Sequence, residues 1–262
     1  MPKRLQPVAH DDRLSLVEHL DELRSRLIVS AVVVGAALAL CFWQNHLILG
    51  VVNAPLAGKE AALFGPGAKP LTFGVAEQFT TTFTLSAYAA LLLSMPILLY
   101  QAYAFILPAF SPSERRVALP MLLMVPFLFI GGVCFGYFVV LSPALDFLLS
   151  FNADEFTTSV RARDYYSFVT LSLLALGLLF QVPVGILVLT RLGVVTPQQL
   201  RKNRRYAILG CAVLAALLPT IDPLTLVFEM VPLIILYEVS IVLAQILGGP
   251  AAKVEPASAE SS

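Results

Sequence analysis

Charged residues are scarce in this chain, which has 262 residues, of which 13% are charged and 58% are hydrophobic. A soluble domain usually carries about 25% charged residues, so this composition excludes an ordinary water-exposed surface. The composition therefore predicts a polytopic membrane protein whose natural solvent is lipid. The formal net charge is zero, and we expect no nucleic-acid partner.

Residues that build metal sites, disulfides and active sites are also scarce. The three histidines all lie near the N-terminus. Intramembrane proteases need a Ser/His pair, paired aspartates or an HExxH motif, and we find none of these, nor a glycine-rich phosphate loop. We therefore expect no enzyme, no cofactor and no metal. The three cysteines lie in apolar runs without CxxC spacing, which favours packing roles for Cys41, Cys134 and Cys211.

Long apolar runs are what the sequence has instead. A membrane-crossing helix needs about 20 residues, and in lipid the backbone must pair internally, so each run predicts a helix. We predict an all-α membrane protein of six transmembrane helices in a single domain, 1–249. An amphipathic cytoplasmic N-terminus, 1–26, precedes the spans, and a disordered cytoplasmic tail, 250–262, follows them. The predicted spans are 27–49, 79–106, 117–145, 165–190, 206–221 and 224–247.

Prolines give these spans an irregular shape. The fifth run is bracketed by Pro219 and Pro223, and we expect the fifth and sixth spans to be short. Either the bilayer thins locally around them or they form an ordinary tilted hairpin. Other prolines recur within the spans, where each removes a helix hydrogen bond and favours a kink, although a single proline can also simply be tolerated in a membrane helix. The prediction is a kinked, concave bundle.

The basic residues orient this bundle. Cytoplasmic loops carry an excess of Lys and Arg, so the loop set that is richer in them is the inner one. With both termini cytoplasmic, only a few of the 17 basic residues fall in outer segments, namely Lys59, Lys69, Arg161 and Arg163. We see no transit peptide or cleavable signal peptide, which favours the cytoplasmic membrane of a prokaryote.

A dense mix of acids and bases stands directly before the first apolar run. In this stretch, Glu22 and Arg26 have the i, i+4 spacing of a solvated helix-surface pair worth only about 0.2–0.5 kcal/mol. A second interpretation is that Glu22 binds a ligand together with Glu114, an isolated acid in the otherwise basic first inner loop. Two carboxylates at one rim suit two guanidinium groups, because arginine binds a carboxylate through a fork that lysine cannot form.

Several motifs in order resemble the TatC family, the receptor core of the twin-arginine protein translocase. The first is "HLDELRSRL" from His19 to Leu27, and "APL" follows at Ala54 to Leu56. The others are "LLYQAYAFILPAFSPSERR" at 98–116, "SFVTLSLLALGLLFQVPV" at 167–184, "LRKNRRYAILG" at 200–210 and the turn at Asp222. The resemblance covers nearly the whole chain.

The resemblance implies a receptor and scaffold that exports folded proteins using the proton-motive force. It would bind S-R-R-x-F-L-K signals at the cytoplasmic face and assemble with single-span TatA- and TatB-type partners in an oligomeric complex surrounded by lipid. The resemblance places signal-binding residues at Glu22, Glu114, Phe105, Arg24 and Arg26.

The resemblance also assigns residues beyond the signal site. Pro55 belongs to an outer-loop motif and Asp222 to the last outer turn, while Glu238 matches an intramembrane acid of part of the family. Gln181 stands where the family often has glutamate, so it cannot ionise. It either contacts a partner helix or makes an ordinary interhelical hydrogen bond worth about 0.6 kcal/mol.

A small-solute or proton-coupled transporter is the alternative function. Such a protein usually has ionisable groups facing one another within the membrane and an internal repeat. We see no repeat, and only Gln181, Glu229 and Glu238 offer intramembrane polarity. Glu229 is expected to lie either at membrane depth or near the outer surface, where water would hydrate it.

Overall fold

The computed structural model describes residues 16–56, 71–106, 112–151, 155, 160–191, 193–216 and 223–247. Within these ranges helices account for nearly all the regular structure, and the β structure consists of an isolated bridge between Leu71 and Arg161. This confirms the predicted all-α class. Five described stretches are long and apolar enough to cross a membrane, and they are His19–Trp43, Glu77–Ile106, Leu122–Ser150, Ala162–Arg191 and Glu229–Ile246. The sixth span and the cytoplasmic position of both termini stay predictions.

The first span is one continuous helix, α1, from Leu16 to Trp43. The described part of the predicted amphipathic N-terminus, 16–26, is therefore continuous with the helix of the first span, and residues 1–15 lie outside the described residues. Gln44 leaves helical geometry at φ −98° and ψ 28°, and a second helix, α2, runs over Asn45–Asn53. The first long helix thus ends earlier than the predicted span 27–49.

The second span is helix α3, Glu77–Ile106, which lies antiparallel to α1. At one end of the pair Arg26 bonds to Gln101, and at the other the rings of Phe42 and Phe79 are 6.3 Å apart. We call the end that contains Arg26 and Gln101 the inner end, following the predicted orientation, and the opposite end the outer end.

The third span contains a π-helical segment. Helix α4 runs over Pro112–Phe135, a π-helix over Gly136–Val140 and helix α5 over Leu141–Ser150. Pro143 has no N–H for the carbonyl of Val139, and its ring would collide with that carbonyl in a regular helix. The π-bulge next to it allows Leu141 N–H to bond to the Gly136 carbonyl and keeps the span helical.

The fourth span is interrupted. Helix α6 runs over Ala162–Leu179 and helix α7 over Val182–Arg191, with a turn at Phe180 and Gln181. Pro183 follows the turn, and its missing N–H and its ring disfavour an unbroken helix through residue 179. The fourth span thus breaks beside this proline, whereas Pro96 and Pro232 lie inside continuous helices.

The last three helices are α8 (Pro197–Lys202), α9 (Arg204–Ala216) and α10 (Pro223–Leu247). Helix α8 begins with a capping box between Thr196 and Gln199. Helix α9 has 13 residues, about 20 Å at ~1.5 Å per residue, and residues 217–222 lie outside the described ranges. The described part of the fifth run is therefore shorter than the hydrocarbon core of about 30 Å.

The buried core lies mainly between α2, α3, α5 and α6, toward the outer end. Leu56 and Val169 are fully buried there, next to Tyr165 and Leu141. Two smaller clusters join α1 to α3 and α9 to α10. Cys41 and Cys211 are buried as expected, whereas Cys134 is exposed. Apolar side chains are also buried nearer the inner end, among them Val125, Leu187 and Ala244.

Candidate functional site

The inner end of the α1–α3 pair carries the polar site predicted at Glu22. Antiparallel packing brings the first turns of α1 beside the last turns of α3. The predicted residues Glu22 and Phe105 therefore lie in one neighbourhood, although they are far apart in the sequence.

Arg26 links the two helices through its guanidinium group. Its Nε and Nη2 atoms both donate to Oε1 of Glu22, at 3.0 and 2.6 Å. Its Nη1 donates to Oε1 of Gln101 at 2.8 Å, and Nη2 also approaches the Ala104 carbonyl oxygen at 3.4 Å. Arg26 thus joins its intrahelical pair with Glu22 to a tertiary contact with α3, so the interpretation as a simple solvated pair is incomplete.

The Glu22 carboxylate remains accessible despite this pairing. The side chains of Glu22 and Arg26 are 28% and 24% exposed. Oε2 of Glu22 lies 3.8 Å from Nδ1 of His19, which is beyond hydrogen-bond distance. An acceptor oxygen at the inner end is therefore available to an incoming cation.

An aromatic pair borders this carboxylate. The rings of His19 and Phe105 stack with centroids 4.2 Å apart and planes inclined by 14°. His19 lies one helical turn before Glu22, and Phe105 is brought beside the same carboxylate by its stacking on His19. The stack provides an apolar wall next to the carboxylate, on which an aliphatic or aromatic ligand residue can pack.

The other predicted signal-site residues are less fully described. Arg24 is exposed, two positions from Glu22. The backbone of Glu114 lies in the first turns of α4, which follows the inner end of α3 after a short connection. Its side chain lies outside what the structure describes, so the distance between the two carboxylates stays a prediction.

Sequence reasoning missed two members of this neighbourhood. His19 could have been found, because it stands at i, i+3 from Glu22 on the same helix. Gln101 lies 75 residues from Arg26 in the chain, and only the packing of α1 on α3 brings the two together. Nothing local in the sequence distinguishes Gln101 from other polar residues.

Gln181 makes an interhelical hydrogen bond. It lies at the turn between α6 and α7, is 7% exposed, and donates through Nε2 to the Val125 carbonyl of α4 at 3.2 Å. Its Oε1 is buried without a hydrogen-bond partner among the described residues. The geometry favours the ordinary interhelical interpretation over a side chain that reaches a partner.

The two acids of the sixth span have different environments. Glu229 is 0% exposed, so the expectation that it is hydrated at the outer surface is wrong. It lines a narrow gap together with Ser172 and Phe168 of α6. Glu238 instead forms a half-exposed ion pair with Arg204 at 2.6 Å. Exposed pairs of this kind are worth about 0–1 kcal/mol.

The predicted outer-loop residues are described only in part. Pro55 lies in the 3₁₀ turn Ala54–Leu56 that follows α2. Asp222 lies outside the described residues. The outer end also has an ion pair that the sequence did not predict, between Glu77 and Arg161 at 3.0 Å.

Groups of side chains that could bind a metal ion are absent from the described part of the chain. There, His, Cys, Asp and Glu side chains do not form a group of three or more that could hold a metal ion.

Comparison with known proteins places this geometry in context. The family model described as "Sec-independent protein translocase protein (TatC)" matches residues 18–232. A Sec-independent protein translocase protein TatC from Deinococcus radiodurans is 37% identical over 232 residues, which cover 88% of this chain and 86% of the relative.

Other relatives and a solved structure agree with this match. The TatC protein of Escherichia coli O6:H1 is 35% identical over 234 residues, which cover 88% of each chain. A chloroplast TATC protein from Oryza sativa is 37% identical over 229 residues, 87% of this chain and 62% of that protein. The crystal structure of a twin-arginine translocase receptor, TatC, matches with a TM-score of 0.74 and 32% identity, covering 88% of this chain and all of that chain.

Proposed function

The chain belongs to the TatC family of Sec-independent protein translocase proteins, and on this premise we propose that it is the receptor subunit of a twin-arginine translocase. Its ligands would be the twin-arginine signals of folded precursors, which bind at the inner end before export driven by the proton-motive force. The similarity to a solved twin-arginine translocase receptor supports this assignment. The matches to translocase proteins do not favour the alternative of a small-solute transporter.

One observation carries the proposed site: the Glu22 carboxylate binds a guanidinium group within the chain itself. Nε and Nη2 of Arg26 both donate to one oxygen of this carboxylate, Oε1. The carboxylate is part-exposed at the inner end, where a cytoplasmic signal would arrive. Charge-assisted hydrogen bonds are roughly twice as strong as neutral ones, so this carboxylate suits a cationic ligand.

The remaining residues of the proposed site supply a second charge and an apolar wall. Glu114 follows in the first turns of α4 and would take the second guanidinium. Phe105, stacked on His19, would pack against the apolar residues of the signal. Arg24 is exposed beside Glu22 and completes the motif. A paired-arginine ligand matches two carboxylates better than a single cation does.

We propose single-span TatA- and TatB-type proteins as partners, in an oligomeric complex of a prokaryotic cytoplasmic membrane. The helices present broad apolar surfaces to their surroundings, for example through Leu209 and Val213 of α9 and Ile235 of α10. Both lipid chains and single-span helices fit such surfaces. We also propose that both termini lie on the cytoplasmic side, because this orientation places most of the basic residues in inner segments.

The test is binding of a fluorescent S-R-R-x-F-L-K peptide to the full chain in lipid nanodiscs. Glu22→Gln should weaken binding about tenfold, because a hydrogen bond to a charged group is worth about 1.5 kcal/mol or more. Glu114→Gln should have a similar effect. Asp21→Asn is the matched control, since Asp21 is an exposed acid next to Glu22 on the same helix.

The control separates a specific site from general charge attraction. We expect Asp21→Asn to change the affinity less than twofold. Equal losses for Asp21→Asn and Glu22→Gln would indicate nonspecific attraction, and unchanged affinity in both glutamate variants would remove the site assignment.

A further inference from the structure

Arg26 occupies a site for guanidinium groups that this chain builds from two helices. Its Nε and Nη2 bond to Glu22 of the same helix, and its Nη1 bonds to Gln101 of α3. Nη2 also approaches the Ala104 carbonyl oxygen. A surface pair at i, i+4 needs no acceptors from a second helix. The inner end therefore already binds one guanidinium group, which belongs to Arg26 of the same chain.

The geometry leaves only part of the Glu22 carboxylate for another ligand. Arg26 places both of its donors on Oε1 of Glu22, at 3.0 and 2.6 Å. A second arginine that binds in the bidentate manner needs both carboxylate oxygens at once. It would meet the Arg26 guanidinium at Oε1, and two like charges at that distance repel each other. A lysine ammonium, as a point charge, can instead use Oε2 alone.

We propose that Arg26 is an internal competitor, and that a signal arginine binds Glu22 by displacing it. This inference rests on the proposed function and specifies how the same site selects its ligand. Arg26 keeps acceptors on α3 when it leaves Glu22, because its bond to Gln101 does not involve the carboxylate. The exchange therefore costs the receptor only part of the hydrogen bonds that Arg26 makes.

The exchange affects affinity and ligand choice in a defined way. A ligand that takes both oxygens of Glu22 must displace Arg26, whereas a ligand that uses Oε2 alone does not. Arg26 thus lowers the affinity for arginine signals, which favours their release. Arg26 also pairs with the partly desolvated charge of Glu22, which would otherwise cost free energy because a buried charge without a partner is unfavourable. Specificity is a difference between affinities, so removing Arg26 should change the preference for arginine over lysine.

The test compares two peptides on the full chain in lipid nanodiscs. One carries the S-R-R-x-F-L-K motif, and the other has lysine at both arginine positions, with the same charge. Arg26→Gln should raise the affinity for the arginine peptide and increase the ratio of arginine to lysine affinity roughly two- to fivefold. Arg205→Gln removes one exposed positive charge from α9, away from the site, and should leave the ratio unchanged.

The outcomes separate the possible roles of Arg26. If Arg26→Gln raises the affinity for both peptides equally, the substitution has only relieved charge repulsion. If it lowers the affinity for the arginine peptide, Arg26 is a direct contact or a positioning residue. Either result overturns the proposal. If Arg26→Gln does not fold, Arg26→Lys takes its place. It keeps the charge but cannot form the fork, so an unchanged ratio in that variant also overturns the proposal.

Failure of this inference is distinct from failure of the proposed function. If Glu22→Gln and Glu114→Gln both leave arginine-peptide binding unchanged, the proposed site is wrong. If Glu22→Gln weakens binding while Arg26→Gln leaves the ratio unchanged, the site stands and only the competition is excluded.

Discussion

Gly132 of α4 lies directly against Gly177 of α6, so close that a Cβ atom added to Gly132 would be 2.9 Å from the Cα of Gly177. The same added atom would be 2.8 Å from the Leu176 carbonyl oxygen. Membrane helices lack a strong hydrophobic drive to associate, and small residues allow their backbones to approach closely. This crossing holds the third span against the fourth, near the turn that carries Gln181.

We expect Gly132→Ala to destabilise the protein by about 1–3 kcal/mol, because the added methyl group meets rigid backbone and forces the helices apart. Gly131→Ala is the matched control, since a Cβ at Gly131 would meet nothing within 4 Å. Unfolding in mixed detergent micelles, followed by circular dichroism, measures both. Equal stabilities for the two variants would show that the crossing is not tightly packed.

Tyr165 of α6 secures the end of α2. Its hydroxyl donates to the Val52 carbonyl oxygen at 2.7 Å in a buried environment, and the last carbonyls of a helix lack partners within it. Tyr165→Phe should therefore lower the unfolding free energy by about 1 kcal/mol. Tyr137→Phe removes a bond of the same length to the Val51 carbonyl at an exposed position, so its loss should be smaller. The detergent unfolding assay compares them, and a larger loss for Tyr137→Phe would contradict this explanation.

Glu77 holds the residues before α3 in place. Its Oε2 accepts hydrogen bonds from the backbone N–H groups of Phe73 and Gly74 at 2.6 and 3.0 Å. Its Oε1 lies 3.0 Å from Nη2 of Arg161, whose guanidinium lies over the Phe73 ring at 5.1 Å. This one side chain thus connects the start of α3 with the start of α6.

We expect Glu77→Ala to accelerate amide hydrogen exchange at Phe73 and Gly74 several-fold, because both donors lose their acceptor. Arg161→Gln should accelerate it less, since the carboxylate acceptor remains. Exchange followed by mass spectrometry on peptides covering 71–80 measures the effect. Equal acceleration in the two variants would mean that the ion pair, and not the backbone acceptor, orders this segment.

Gln181 provides a test of its structural role. Gln181→Leu removes the bond to the Val125 carbonyl, worth about 0.6 kcal/mol, and also the buried Oε1 that has no described partner. These two effects oppose each other, so we expect a stability change below about 1 kcal/mol. Because Gln181 is buried, recovery of single-span partners in copurification should not change. A clear loss of those partners at unchanged stability would restore the partner-contact interpretation.

The membrane class and most helix positions follow from the sequence because lipid imposes simple rules. Apolar length predicts a span, and the backbone must pair internally, so the runs at 79–106 and 224–247 agree with the observed helices to within two residues at either end. The pairing of Glu22 with Arg26 could likewise be predicted, because the two residues have i, i+4 spacing on one helix. These features depend on neighbours in the chain.

Other features depend on contacts between distant parts of the chain, and only the tertiary structure decided them. Hydropathy does not report where a long helix breaks, so the end of α1 at Trp43 and the turn at Gln181 were missed. The Gln101 partner of Arg26 and the full burial of Glu229 depend on which helix faces which. A helix fixes which residues share a face, but the packing of helices decides what that face meets, and no local pattern in the sequence encodes the partner.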